Sequence, residues 1–104
     1  MILEHAVLNV VTGRECEFEQ AFAEAQLIIS SMAGYQSHAL MKCHELGNRY
    51  LLLVQWASLE DHTIGFRNSP EYEQWKKKLH DFYEPFPEVH HYSTVESASS
   101  PMGF

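Results

Sequence analysis

Arg49 to Trp56, RYLLLVQW, is apolar at both parities through its middle. Side chains of a strand alternate between two faces, so a strand with no polar face is one covered on both. A chain of 104 residues supplies a single domain, and one layer of helices covers one face of its sheet. Something else must cover the second face, and another copy of the chain is the simplest candidate.

The flanking segments supply the rest of that sheet. Ile2 to Val11 alternates, with Glu4, Ala6, Leu8 and Val10 on one face and His5, Val7, Asn9 and Val11 on the other. Thr12-Gly13-Arg14-Glu15 matches a capping box, which predicts a helix start with the Thr12 hydroxyl and the Glu15 carboxylate each satisfying a backbone donor. Phe18, Phe22, Ala25, Ile29 and Met32 then recur at helical spacing, and Gly34 ends the helix. Tyr35 to His44 predicts a strand, joined to Arg49–Trp56 through the turn Glu45-Leu46-Gly47-Asn48. Ser58-x-x-Asp61 caps a short helix running to about Phe66. Ser69-Pro70-Glu71 opens the next, whose Tyr72, Trp75, Leu79, Phe82 and Tyr83 share one face, until Pro85 and Pro87 stop it. Glu88 to Glu96 alternates again, with Val89, His91, Ser93 and Val95 opposite His90, Tyr92 and Thr94. The order β-α-β-β-α-β predicts an α+β fold of ferredoxin-like, split type: a four-stranded antiparallel sheet with its helices on one face. Residues 1–96 form the domain and residues 97–104 a flexible C-terminal tail.

Charge and cysteine usage remove several classes of function. A net charge of −7 leaves no basic footprint for nucleic acid or an anionic membrane. The longest apolar run, Tyr50 to Val54, is far short of a span, and the N-terminus opens on a strand pattern rather than a signal core, which predicts a cytoplasmic protein. Cys16 and Cys43 have no paired spacing and read as reduced thiols. His90 and His91 are adjacent on a strand and point to opposite faces, so no metal site is expected from them. There is no glycine-rich phosphate cradle.

RYLLLVQWASLEDHTIGFRNSPEYEQW, followed by LHDFYEPFPEVHHY, resembles the antibiotic biosynthesis monooxygenase domain family, over about Ile2 to Val95. The resemblance implies subunits that pair through their sheets into a dimeric α+β barrel, the partner that the doubly apolar strand demands. It also implies oxidation of phenolic aromatics without metal or flavin, oxygenation of quinols, or, in one branch, haem breakdown. The haem-degrading pattern has an Asn on the first strand, a Trp three residues before the helix-capping Ser and a His seven residues after it. Asn9 fits the first position, but Phe66 stands at the Trp position and Lys76 at the His position, so the usual axial ligand is missing.

The leading expectation is therefore a cofactor-independent monooxygenase acting on a small phenol or quinol in a cleft between sheet and helices. A non-catalytic small-molecule binding or interaction protein of the same fold is the alternative. Without a cofactor, the substrate itself must give an electron to oxygen as phenolate or enolate, so the protein has to hold an aromatic body, favour its ionised form and exclude water. Asn9 and His62 are the candidate catalytic residues, one orienting an oxygen and the other accepting a proton. His5, Phe66, Tyr72 and Trp75 are the candidate substrate-binding residues, although Trp75, on an apolar helical stripe with Leu79 and Phe82, is first of all a core residue.

Overall fold

The computed structural model describes residues 1–98. From residue 99 onward, the expected C-terminal tail lies outside the described residues. The chain runs β1 (Ile2–Asn9), α1 (Glu15–Ser30), β2 (Tyr35–Lys42), β3 (Arg49–Trp56), a π-helical turn (Asp61–Phe66), α2 (Pro70–Leu79), a 3-10 turn (His80–Phe82) and β4 (Val89–Tyr92). The four strands form one sheet in the order β2-β3-β1-β4, every neighbouring pair antiparallel. This is the α+β, ferredoxin-like arrangement that the sequence predicts.

The alternation on β1 and β3 decides which face is inside. Ala6 and Leu8 from the first strand, Val10 just after it, and Tyr50, Leu52, Val54 and Trp56 from the third are buried, and they meet Phe18, Phe22, Ala25 and Ile29 of α1. Trp75, Leu79 and Phe82 close the same core from α2 and the turn after it. The opposite parity (Leu3, Val7, Leu51 and Leu53) is only half-buried, and Met41 is exposed. The sheet thus has one face under helices and a second, largely apolar face open in the single chain.

Local chemistry corrects two of the predicted boundaries. Thr12 does not cap α1: Gly13 has φ +94°, which no helical residue adopts, so the helix begins at Glu15. Both Glu15 carboxylate oxygens instead accept the Gly13 N–H at 3.0 Å. β4 ends at Tyr92 rather than Glu96, because Tyr92 pairs with Leu3 and β1 itself starts at Ile2, leaving residues 94–96 nothing to pair with. The other caps form as predicted, with Ser58 Oγ accepting from the Asp61 N–H and Ser69 Oγ from the Tyr72 N–H, both at 3.2 Å.

Gly34 joins two parts of the fold. Its carbonyl accepts the Ala57 N–H at 2.8 Å, and the Asp61 side chain occupies the place a Cβ would take. Gly13 has a similar positive φ but open space around it. Gly13→Ala should therefore cost about 1–2 kcal/mol, the left-handed penalty alone. Gly34→Ala should cost measurably more by urea denaturation, because Asp61 and the turn it begins must also move. Trp75→Ala should cost on the order of 3–5 kcal/mol by the same measurement.

Candidate active site

A cavity of about 530 Å³ lies between the inner face of the sheet and the segment from the π-turn to β4. That is the size of an ordinary small-molecule site. Its floor is made by Glu4, Ala6 and Leu8 of β1 with Leu52 of β3, and Val89 adds the β4 side. Phe66, Tyr72 and Trp75 form an aromatic wall, with Phe66 edge-on to Tyr72 (5.2 Å, 80°) and to Trp75 (5.8 Å, 76°). Arg67 and His80 bring polar groups to the lining.

Glu4 and His62 of the lining belong to a chain of four side chains that continues behind it to Trp56 and His91. Glu4 shares the apolar face of β1 and is only 5 % exposed. The Trp56 indole N–H donates to Glu4 Oε1 at 2.9 Å, and His62 Nε2 stands 3.3 Å from the same oxygen. His62 stacks on Trp56 (5.3 Å between ring centroids, 19° between planes), and its Nδ1 lies 2.7 Å from Nε2 of His91 on β4. His62 is the second residue of the π-turn, whose wider backbone hydrogen bond runs from the Arg67 N–H to the His62 carbonyl at 3.1 Å.

Burial governs the protonation of this group. It pushes Glu4 up to about 7, against the opposing effects of the Trp56 hydrogen bond and the Arg67 charge. It pushes His62 down to about 3, reinforced by Arg67 and His91, and His91 also falls below the usual histidine range, chiefly through desolvation. Glu4 and His62 are at ion-pair distance, yet burial opposes charge on both. His62 is neutral at neutral pH, and Glu4 is the member that titrates there.

The structure brings four of the six sequence-predicted residues together: His62, Phe66, Tyr72 and Trp75 line one cavity. Asn9 and His5 do not join them. Both lie on the outer face of the sheet, where Asn9 Oδ1 accepts from Arg49 Nε at 3.1 Å and His5 sits edge-on to Tyr92 (5.5 Å, 76°). The expected partnership of Asn9 with His62 is not formed, because Asn9 has the opposite strand parity to the residues under the helices. Glu4 and His91 take that place. Their signal in the sequence is an acid and an imidazole on strand faces otherwise occupied by Ala6, Leu8, Val10 and Val89.

Lys76, at the position of the haem-degrading pattern's histidine, lies 3.7 Å from Glu73 and 5.7 Å from the centre of the Tyr72 ring. An ammonium there is no iron donor, so the residues present do not fit the haem site of that branch. Among the described residues, no three His, Cys, Asp or Glu side chains are gathered to hold a metal ion. His90 and His91 point to opposite faces, as adjacent strand residues must, and only His91 meets His62.

Fold and cavity together define an α+β chain of ferredoxin-like topology with an internal cavity of small-molecule size. The chain belongs to the antibiotic biosynthesis monooxygenase family, whose model matches residues 1–78. It is 55 % identical over 95 residues to the uncharacterized protein YczJ of Bacillus subtilis, a match covering 91 % of this chain and all of that one. A crystal structure assigned as an antibiotic biosynthesis monooxygenase from Bordetella bronchiseptica superposes with a TM-score of 0.87 at 33 % identity, covering 91 % of this chain and 97 % of that one. SnoaB of Streptomyces nogalater, a cofactor-independent oxygenase crystallised as a point mutant, shares the fold at TM-score 0.80 and 17 % identity, over 92 % of this chain and 94 % of its own.

Glu4 gives stability a definite pH dependence. Its folded pKa is raised from 4.5 to about 7, so the folded state holds the extra proton. That contribution is fully present below pH 4.5 and is lost as pH rises through 7. His62 acts in the opposite sense, its contribution being lost as pH falls from 6.5 towards 3. Glu4→Gln removes only the first term. Between pH 5 and pH 8, the variant should therefore gain on the wild type by up to about 3 kcal/mol in urea unfolding.

Proposed function

We infer that this chain is a cofactor-independent monooxygenase of a small aromatic phenol, quinol or anthrone-type compound. The observation that carries this is an aromatic-walled cavity with a buried carboxylate–imidazole pair in its floor. Such a substrate gives up one proton and then reduces oxygen from its own electron-rich anion, so the protein need only bind, deprotonate and exclude water. For an anthrone-type substrate, the ring methylene and one molecule of oxygen give a ketone and one molecule of water, with both oxygen atoms and all electrons supplied by the two reactants. Phe66, Tyr72 and Trp75 hold the ring, while His62 with Glu4 receives the proton. SnoaB, which shares the fold, is itself a cofactor-independent oxygenase.

The functional unit is a homodimer in the cytoplasm, paired through the outer sheet face into an α+β barrel. Leu3, Val7, Leu51 and Leu53 offer that face an apolar centre. No helix among the described residues is long and apolar enough to cross a membrane. A small-molecule binding protein without chemistry is the second possibility, and the position of Asn9 on the face away from the cavity is the observation in its favour.

Oxygen uptake by purified protein against a panel of anthrones, quinols and phenols decides between them. Turnover should consume one O2 per ketone formed, and His62→Ala should lower kcat by about 100-fold or more. Ligand binding with no uptake across the panel would leave the binding protein. Sedimentation should report a dimer that Leu53→Glu dissociates, whereas a monomeric wild type would contradict pairing through the sheet.

A further inference from the structure

We propose that Glu4 is the group that takes the substrate's proton, through Oε2, and that His62 and His91 form the path by which that proton leaves the cavity. The proposal rests on the oxygenase function inferred above and names the acid–base machinery of the same site.

The two oxygens of Glu4 have different surroundings. Oε1 faces both the Trp56 indole N–H and His62 Nε2. Oε2 takes no hydrogen bond from a described residue, and every buried side-chain nitrogen or oxygen there does have a partner. Oε2 is therefore not fully buried, and Glu4 is one of the residues that line the cavity. Trp56 and His62 fix the carboxylate from behind, leaving one acceptor oxygen presented among apolar floor residues. A hydroxyl or an acidic C–H is the substrate group that such an oxygen meets productively.

The remaining contacts lead outward. From Glu4 the chain passes to His62 Nε2 at 3.3 Å and from His62 Nδ1 to His91 Nε2 at 2.7 Å. His91 is half-buried and reaches the surface beside β4. In the transfer, the substrate O–H or C–H bond breaks, its electron pair stays on the substrate, and a new O–H bond forms at Oε2; no electron leaves the protein. The protonated carboxyl then turns about its Cγ–Cδ bond so that its O–H faces His62; this O–H bond breaks as Nε2 takes the proton, while the Nδ1–H bond breaks and its proton passes to His91 Nε2, in the tautomer where His62 Nδ1 is the donor. Other charged and titratable groups facing this chain are Arg67 at the exit of the π-turn, His90 next to His91, and Tyr83 after the 3-10 turn, the last held protonated above its usual range by burial and the Glu4 charge. Glu4, pushed up to about 7, is matched to proton exchange at neutral pH.

Anaerobic exchange of the anthrone methylene protons into D2O, followed by NMR, tests this step without oxygen chemistry. Wild type should accelerate exchange over buffer by on the order of 100-fold. Glu4→Gln should abolish the acceleration, and Glu4→Asp should keep part of it. His91→Ala should slow exchange, and added imidazole should restore it, as a merely structural role would not allow. Circular dichroism melting of each variant reports whether it is folded. Acceleration retained in folded Glu4→Gln, wild-type speed in His91→Ala without imidazole, or no acceleration by the wild type would each overturn the proposal. Oxygen uptake without exchange would spare the oxygenase function and remove Glu4; exchange without uptake would do the reverse.

Discussion

A carboxylate on the inward face of β1 has to be answered by donors, and the arrangement around the cavity follows from how Glu4 is answered. An unpaired buried carboxylate would cost several kcal/mol. Trp56, the last residue of β3, meets it with the indole N–H, and His62 lies flat against that indole. The π-turn must therefore sit over the end of the strands, and the Ser58 cap and the close approach of Asp61 to Gly34 hold it there. Phe66 follows from the same turn to face Tyr72 and Trp75, so the polar end of the floor and the aromatic wall are set by one local structure.

One sheet thus serves two purposes through its two parities. Its inner parity carries the core and, at Glu4 and His91, the acid–base groups. Its outer parity carries the apolar surface proposed for a second subunit, with Asn9 and His5 among those outward residues. Arg49–Trp56, apolar at both parities, contributes to both, and β1 does so with Ala6 and Leu8 inside and Leu3 and Val7 outside.

Most of the fold was legible because it rests on periodicity. The helix stripe from Phe18 to Ile29, the Ser69-Pro70 start of α2 and the alternation of β1 and β3 are local patterns, and the structure keeps them. The errors came where a competing local rule won: the left-handed backbone of Gly13 displaced the expected Thr12 cap, and the length of β1 limited β4. Phe66, Tyr72 and Trp75 were readable as neighbours because they lie close together in the chain. Glu4 and Trp56 are 52 positions apart, and only the strand register makes them partners. The parity of Glu4 was visible, but an acid among Ala6, Leu8 and Val10 is a less distinctive signal than Asn9 on the family pattern. The identity of the inward face was the missing piece.

In the proposed reaction, chemistry takes place on the inner face, at Glu4, with the substrate ring against Phe66, Tyr72 and Trp75. A crystal structure of the protein with a phenolic inhibitor tests this most directly. The ring should lie inside the cavity, with its hydroxyl at about 3 Å, hydrogen-bond distance, from Glu4 Oε2. A ligand bound on the outer face beside Asn9 and His5, with the inner cavity empty, would contradict it.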